Sequence, residues 1–178
     1  MSELPKKSSV RSVRTRRALK EAFCRLYIDK PLNKIAIKEV CRIAGYNRST
    51  FYQYYLDLDD LLLEIETETL TYIAAQRKTV HTSDSNFISE LMELYEQEKV
   101  YMDAMLGPHS TPRFLDNLLQ LAVQSNLDFD LRPNDPYFPY LVEFRYQGAL
   151  SIFRLWLRRK RDLPFADLLA FIQKRYQI

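Results

Sequence analysis

The sequence predicts an all-α fold. Only three glycines occur in 178 residues, too few for a hairpin-rich sheet, and no apolar–polar alternation lasts beyond a few positions. Apolar residues instead recur at helical spacing along most of the chain. A chain of this length buries a sizeable core as one body or two small domains. Cys24 and Cys41 fall on apolar faces and read as small buried hydrophobes in a reducing compartment, not as a disulfide frame. No apolar run approaches the roughly 20 residues of a membrane span, and the N-terminus is basic and polar, so a cytoplasmic chain is expected.

Residues 1–10 lack an apolar period and read as a flexible basic arm. A first helix from about Ser12 to Tyr27 carries the stripe Ala18, Leu19, Ala22, Phe23, Leu26 and Tyr27. Arg14, Arg16, Arg17 and Lys20 crowd its early turns, where cations oppose the helix macrodipole at a cost of about a few tenths of a kcal/mol. A phosphate docked there would remove that conflict. After a loop at Asp29–Asn33, a second helix from Ile37 presents Ile37, Val40, Cys41 and Ala44 at helical spacing. Gly45 then supplies the left-handed angles of a tight Ala44-Gly45-Tyr46 turn. The polar stretch Asn47–Tyr55 forms a short third helix, with Phe51 and Tyr55 inward and Arg48, Ser49, Tyr52 and Tyr54 outward. A fourth helix from near Asp57 to about Val80 uses Leu61, Leu62, Ile65, Leu70 and Ile73, and it leads from an N-terminal head (residues 11–56) into a helical body (57–178).

In the body, Asp84 or Ser85 caps a helix with Phe87, Ile88, Leu91, Met92 and Tyr95. A helix from Val100 to Leu106 ends at Gly107-Pro108. Thr111-Pro112 is a cap followed by a proline in the first turn, opening a helix through Leu121. Ser125–Asn134 reads as a loop. Asp135-Pro136 repeats the cap-and-proline signal and opens the longest body helix, to about Arg161. Its apolar residues cover more than one stripe, so it needs partners on more than one side. Leu163-Pro164 starts a last helix with Phe165, Leu168, Leu169 and Ile172.

Helix, glycine turn and polar second helix is the arrangement that places a recognition helix in the major groove of DNA. The charge distribution agrees. Residues 1–55 hold 13 Lys+Arg against 4 Asp+Glu, a balance of +9, whereas the remainder holds 13 against 19, or −6. A basic head on an acidic body is the footprint of polyanion binding. Catalytic chemistry finds no support, because no nucleophile–base set, metal cluster or phosphate loop is visible. His81 and His109 lack cysteines or carboxylates at metal-ligand spacing and read as surface residues. Glu64, Glu66 and Glu68 spread around the fourth helix and read as solvated rather than as paired acid/base groups. Arg158-Arg159-Lys160-Arg161 reads as cations complementing a helix C-terminus.

The stretches Thr15–Phe23, Ile35–Cys41 and Ala44–Tyr52, continuing into Tyr54-Tyr55 and Asp60-Leu61-Leu62, resemble the TetR family of bacterial transcription regulators. Phe144, Gly148-Ala149 and Trp156-Leu157 are similar to the short C-terminal domain of the branch that includes dihydroxyacetone-kinase operon regulators. The resemblance implies a homodimeric repressor on a pseudo-palindromic operator in double-stranded DNA, with no cofactor. By position it implies DNA contacts from Thr15, Lys38, Asn47, Arg48, Ser49, Thr50, Tyr52 and Tyr54. Ala36 stands where a capping Thr is usual, Tyr54 where a His is common, and Leu58 where a Lys often reaches the DNA backbone. These departures bear on affinity more than on binding mode, since phosphate contacts position while base contacts specify.

The resemblance also implies a body that dimerises and often holds a ligand. Ile152, Phe153, Trp156, Phe165, Leu168, Leu169 and Ile172 are the expected interface, the last two helices of each protomer forming an isologous four-helix contact. Tyr72, Tyr95, Tyr101, Phe114 and Tyr146 either line a pocket for a small-molecule effector or fill a core. A competing reading from another class is a protein–protein adaptor of the same fold whose head binds DNA weakly or not at all.

Overall fold

The computed structural model describes residues 10–77, 93, 95–124 and 134–176, and the regular structure among them is helical. Helices α1 (Val10–Tyr27), α2 (Ile37–Ala44), α3 (Arg48–Tyr52) and α4 (Leu58–Arg77) are followed by α5 (Lys99–Leu106), α6 (Pro112–Gln124), α7 (Phe138–Arg158) and α8 (Phe165–Tyr176), with a 3-10 turn at Leu32–Lys34. The chain forms two compact units, residues 1–65 and 66–178, so the division falls within α4 and not at its start. None of the described helices is long and apolar enough to cross a membrane. Among the described residues no group of three His, Cys, Asp or Glu could hold a metal ion. The N-terminal arm, the helix opening at Asp84 or Ser85, His81, Val80 and the loop beginning at Ser125 lie outside the described residues.

In the first unit, α1 buries Leu19, Ala22, Phe23, Cys24 and Tyr27, α2 buries Val40 and Cys41, and α3 buries Phe51. The first turns of α4 add Leu58, Leu61, Leu62 and Ile65 to the buried set. Leu58 therefore packs inward. A reciprocal cap fixes where α4 begins. Asp57 accepts the Asp60 N–H at 2.9 Å, and Asp60 accepts the Leu56 N–H at 3.0 Å. Both thiols are free and buried, and desolvation pushes the Cys24 and Cys41 thiols up, which keeps them neutral.

In the second unit, Ile73, Tyr95, Met102, Phe153, Trp156 and Leu168 form one buried cluster, with Tyr72, Ile152, Phe165 and Ile172 packed against it. The aromatic rings interlock. Tyr95 lies 4.2 Å from Phe165 between centroids, and Trp156 lies 5.3 Å from the same ring. The indole N–H of Trp156 donates to the Leu163 carbonyl at 2.8 Å, so the polar end of this buried ring is satisfied. Phe153, Trp156 and Leu168 were expected at a dimer interface. The structure corrects this, because the chain's own core already covers them and leaves little of their surface for a partner.

Helix starts follow the capping signals unevenly. Thr111 accepts the Phe114 N–H at 3.1 Å and Pro112 follows, so α6 opens as the sequence predicts. At Asp135-Pro136 the same signal makes a turn, with Asp135 accepting the Tyr137 N–H at 2.8 Å, and α7 begins later at Phe138. The helix also stops early, at Arg158, because Lys160 and Arg161 take left-handed angles with φ of 58° and 59°. Their N–H groups turn back to the Leu157 and Trp156 carbonyls at 3.0 and 2.9 Å. Such a stop normally uses glycine; here each non-glycine residue costs about 1–3 kcal/mol.

Among the described residues, two carboxylates are buried in this unit, and the sequence does not foreshadow them. Glu66, expected to be solvated, is buried. One of its carboxylate oxygens accepts the Thr111 hydroxyl, and the other accepts the Arg113 Nε–H at 2.8 Å. Arg161, expected to complement a helix C-terminus, also pairs with buried Asp103, which accepts the Tyr95 hydroxyl at 2.8 Å. Arg154 donates to the Leu106 and Gly107 carbonyls, each at 3.1 Å, closing the C-terminal end of α5.

Candidate nucleic-acid interface

The interface is built from α2, the turn after it and α3. Gly45 ends α2 at φ 76°, and the Tyr46 N–H reaches back to the Cys41 carbonyl at 2.9 Å. A Cβ at Gly45 would meet nothing within 4 Å, so only backbone strain selects glycine there. Ala36 lacks a capping acceptor, but half of a capping box survives at the start of α2. Glu39 accepts the Ala36 N–H at 3.0 Å and pairs with Lys30 at 2.7 Å. Lys30 first, and then the Ala36 amide, hold the Glu39 carboxyl below the usual carboxylate range.

Asn47 has a role that the sequence reading missed. Its side-chain carbonyl caps α3, accepting the Thr50 N–H at 2.9 Å, the Thr50 hydroxyl at 2.9 Å and the Ser49 hydroxyl at 2.6 Å. A helix of only five residues needs this help, because nucleating one turn fixes several dihedrals for a single hydrogen bond. Phe51 is fully buried and pins the helix from beneath. With their protons donated to Asn47, the Ser49 and Thr50 hydroxyls keep their acceptor capacity. In this state they suit the exocyclic amine of a base, while a phosphate would require the protons to swing away.

The expected contact residues divide into three groups. Lys38, Asn47, Arg48, Ser49 and Tyr52 are exposed, with Tyr52 exposed at 56 %. Thr50 and Tyr54 are half-buried. Thr15 corrects the expectation: it is only 2 % exposed, its hydroxyl donating to the Arg11 carbonyl at 2.9 Å and lying 3.4 Å from the Tyr46 hydroxyl. Thr15 thus stands between α1 and the turn and not on the surface.

A second constellation lies beside α3. Glu64 on α4 receives Arg16 at 2.9 Å, Lys20 at 3.2 Å and the Tyr55 hydroxyl at 3.1 Å. The Arg16 guanidinium also lies 5.6 Å from the Tyr54 ring centroid and 5.7 Å from that of Tyr55. Glu64 is therefore not the solvated carboxylate that helix periodicity suggests. The sequence offers no signal for it, because periodicity assigns a face but not the partner opposite.

In the second unit, Tyr72 and Tyr95 meet in one packed cluster, with the Tyr72 hydroxyl donating to Gln97 at 2.7 Å. Phe114 is 1 % exposed and Tyr101 half-buried. The Tyr146 hydroxyl donates to the Leu115 carbonyl at 2.9 Å, and burial pushes it up to about 12. Tyr95 and Phe114 thus fill core, and Tyr146 spends its hydroxyl on the backbone.

No family model matches the chain. An uncharacterised HTH-type transcriptional regulator from Haemophilus influenzae is 38 % identical over 61 residues, which are 34 % of this chain and 30 % of that protein. The match therefore spans less than a third of the relative's length. The crystal structure of a TetR transcriptional regulator from Streptococcus agalactiae superposes with a TM-score of 0.63 at 21 % identity, covering 92 % of this chain and 94 % of that one. The all-helical fold of this chain is the fold of that structure.

Proposed function

We propose that this chain is a bacterial, cytoplasmic transcription regulator of the TetR type that binds double-stranded operator DNA as a homodimer and acts as a repressor. The observation that carries the reading is α3, held by Asn47 at its start and Phe51 beneath, which together with Lys38 of α2 offers Asn47, Arg48, Ser49 and Tyr52 to a groove. The +9 balance of residues 1–55 and the likeness in fold to a TetR regulator support it.

Selection of genomic fragments by the full chain should recover a pseudo-palindrome with half-sites about one helical turn apart or slightly more. Arg48→Ala should weaken binding to the selected site by about 1–3 kcal/mol if Arg48 reads a base. Recovery of no symmetric site, with wild type and variant binding equally, would sink the reading. Affinity should also fall steeply with salt as phosphates are neutralised, whereas a flat salt response would favour the adaptor reading.

Dimerisation belongs to the same proposal. Half-buried Ile152, Phe165, Leu169 and Ile172, with exposed Phe144, Leu155 and Phe171, remain on α7 and α8 for a partner to cover. Leu155→Glu, at an exposed position, should give monomers in sedimentation without a loss of helix content. A wild-type monomer at micromolar concentration would rule the interface out.

A further inference from the structure

We infer that Glu64 is a positioning residue for the DNA-binding face, acting through Arg16 on the ring of Tyr54. The inference rests on the DNA-binding reading above. One carboxylate here serves two cations and a phenol, all within 3.2 Å. The two cations differ in freedom. The Lys20 side chain is 9 % exposed and cannot exchange Glu64 for water, so this leg is fixed. The Arg16 side chain is 42 % exposed and reaches solvent while it contacts both tyrosine rings. Glu64 is anchored by Lys20 and Tyr55, and from that anchor it sets the plane of the Arg16 guanidinium. The guanidinium in turn lies against Tyr54, a residue of the proposed interface.

Charge alone does not account for this arrangement. A carboxylate close to a polyanion-binding face opposes binding by like-charge repulsion, and a half-exposed ion pair contributes little to folding. Orientation and charge therefore pull in opposite directions when Glu64 is neutralised. Loss of its charge should tighten binding to any duplex, whereas loss of orientation should weaken binding only where Tyr54 is read.

The test compares full-length wild type, Glu64→Gln and Arg16→Lys on the duplex recovered by selection and on a scrambled duplex, at several salt concentrations. Glu64→Gln should weaken the selected duplex about tenfold, within the range of a lost base-reading contact, while the scrambled duplex binds as before or more tightly. Arg16→Lys keeps the charge but loses the planar face against the rings, so it should lose selectivity to a similar extent. Should Glu64→Gln fail to fold, Arg16→Lys carries the test alone. A drop in melting temperature with an unchanged ratio of the two affinities assigns Glu64 a merely structural role and overturns the inference. If wild type itself does not distinguish the duplexes, the DNA-binding reading fails and takes this inference with it; if wild type discriminates and both variants do so equally, only the inference fails.

Discussion

The two units bury opposite partners of their ion pairs. In the first, buried Lys20 meets half-buried Glu64, and Arg14, Arg25, Lys38, Arg42 and Arg48 stay exposed. In the second, Arg113, Arg154 and Arg161 turn to internal acceptors, and the carboxylates of Glu66 and Asp103 lie buried with side chains 3 % and 5 % exposed. A head stabilised by apolar burial leaves its cations available to a polyanion. In the body the buried member of each pair is the carboxylate, while the Arg113 and Arg161 side chains stay 53 % and 37 % exposed. Which partner is buried, a lysine in the head and a carboxylate in the body, is a difference that the residue counts do not convey.

The largest expected effect comes from breaking the body's scheme. Asp103→Ala strands Arg161 and the Tyr95 hydroxyl and should cost about 3 kcal/mol, the low end for a buried pair because Arg161 reaches some solvent. Asp103→Leu combined with Arg161→Met should recover part of that loss, since it removes the unpaired charge but still leaves the buried Tyr95 hydroxyl without its acceptor. Urea unfolding measures both. A single variant within about 0.5 kcal/mol of wild type, the range of an ordinary surface substitution, would show that this pair does not hold the body together.

In the head, neighbouring residues should separate folding from binding. Asn47→Ala removes the cap of α3 and should lower stability by about 1 kcal/mol, whereas the exposed Arg48→Ala should leave the unfolding midpoint in place. Asn47→Asp should keep the cap and weaken DNA binding through repulsion of phosphate. Equal midpoints for Asn47→Ala and wild type would remove the structural role assigned here to Asn47.

Smaller effects sharpen the picture. Lys160→Gly relieves a left-handed residue but gives the unfolded chain more freedom, so the net gain should be about 0.5–1 kcal/mol, which thermal unfolding would show as a higher midpoint. Glu39 should report through pH. Its carboxyl is lowered from 4.5, so its contribution is full above that value and is lost as pH falls through the lower folded value. Glu39→Gln should flatten this acid limb, and an unchanged limb would mean that the Lys30 pairing is too solvated to matter.

Local signals made the head legible. The Gly45 turn, inward Phe51 and outward Arg48 and Tyr52 all depend on residues within one or two turns of each other, which is the range over which periodicity and turn chemistry operate. The same reading misplaced Thr15, because a resemblance transfers position but not burial. It also left Asn47 as a contact residue, although a cap ahead of a five-residue helix is a local signal that could have been read. In the body the cap at Thr111 was legible, whereas Asp135-Pro136 closed into a turn of its own. Glu66 with Arg113 and Asp103 with Arg161 stayed invisible, since their partners are 47 and 58 positions apart along the chain.

The burial of both thiols has a practical consequence. Cys24 is 0 % and Cys41 3 % exposed, and each is held as the neutral, unreactive form. A cysteine introduced at exposed Lys38 or Tyr52 should therefore be the one group that a maleimide dye modifies in the folded chain. The natural sequence serves as its own unlabelled background, so a fluorophore can be set beside α3 with neither native cysteine removed.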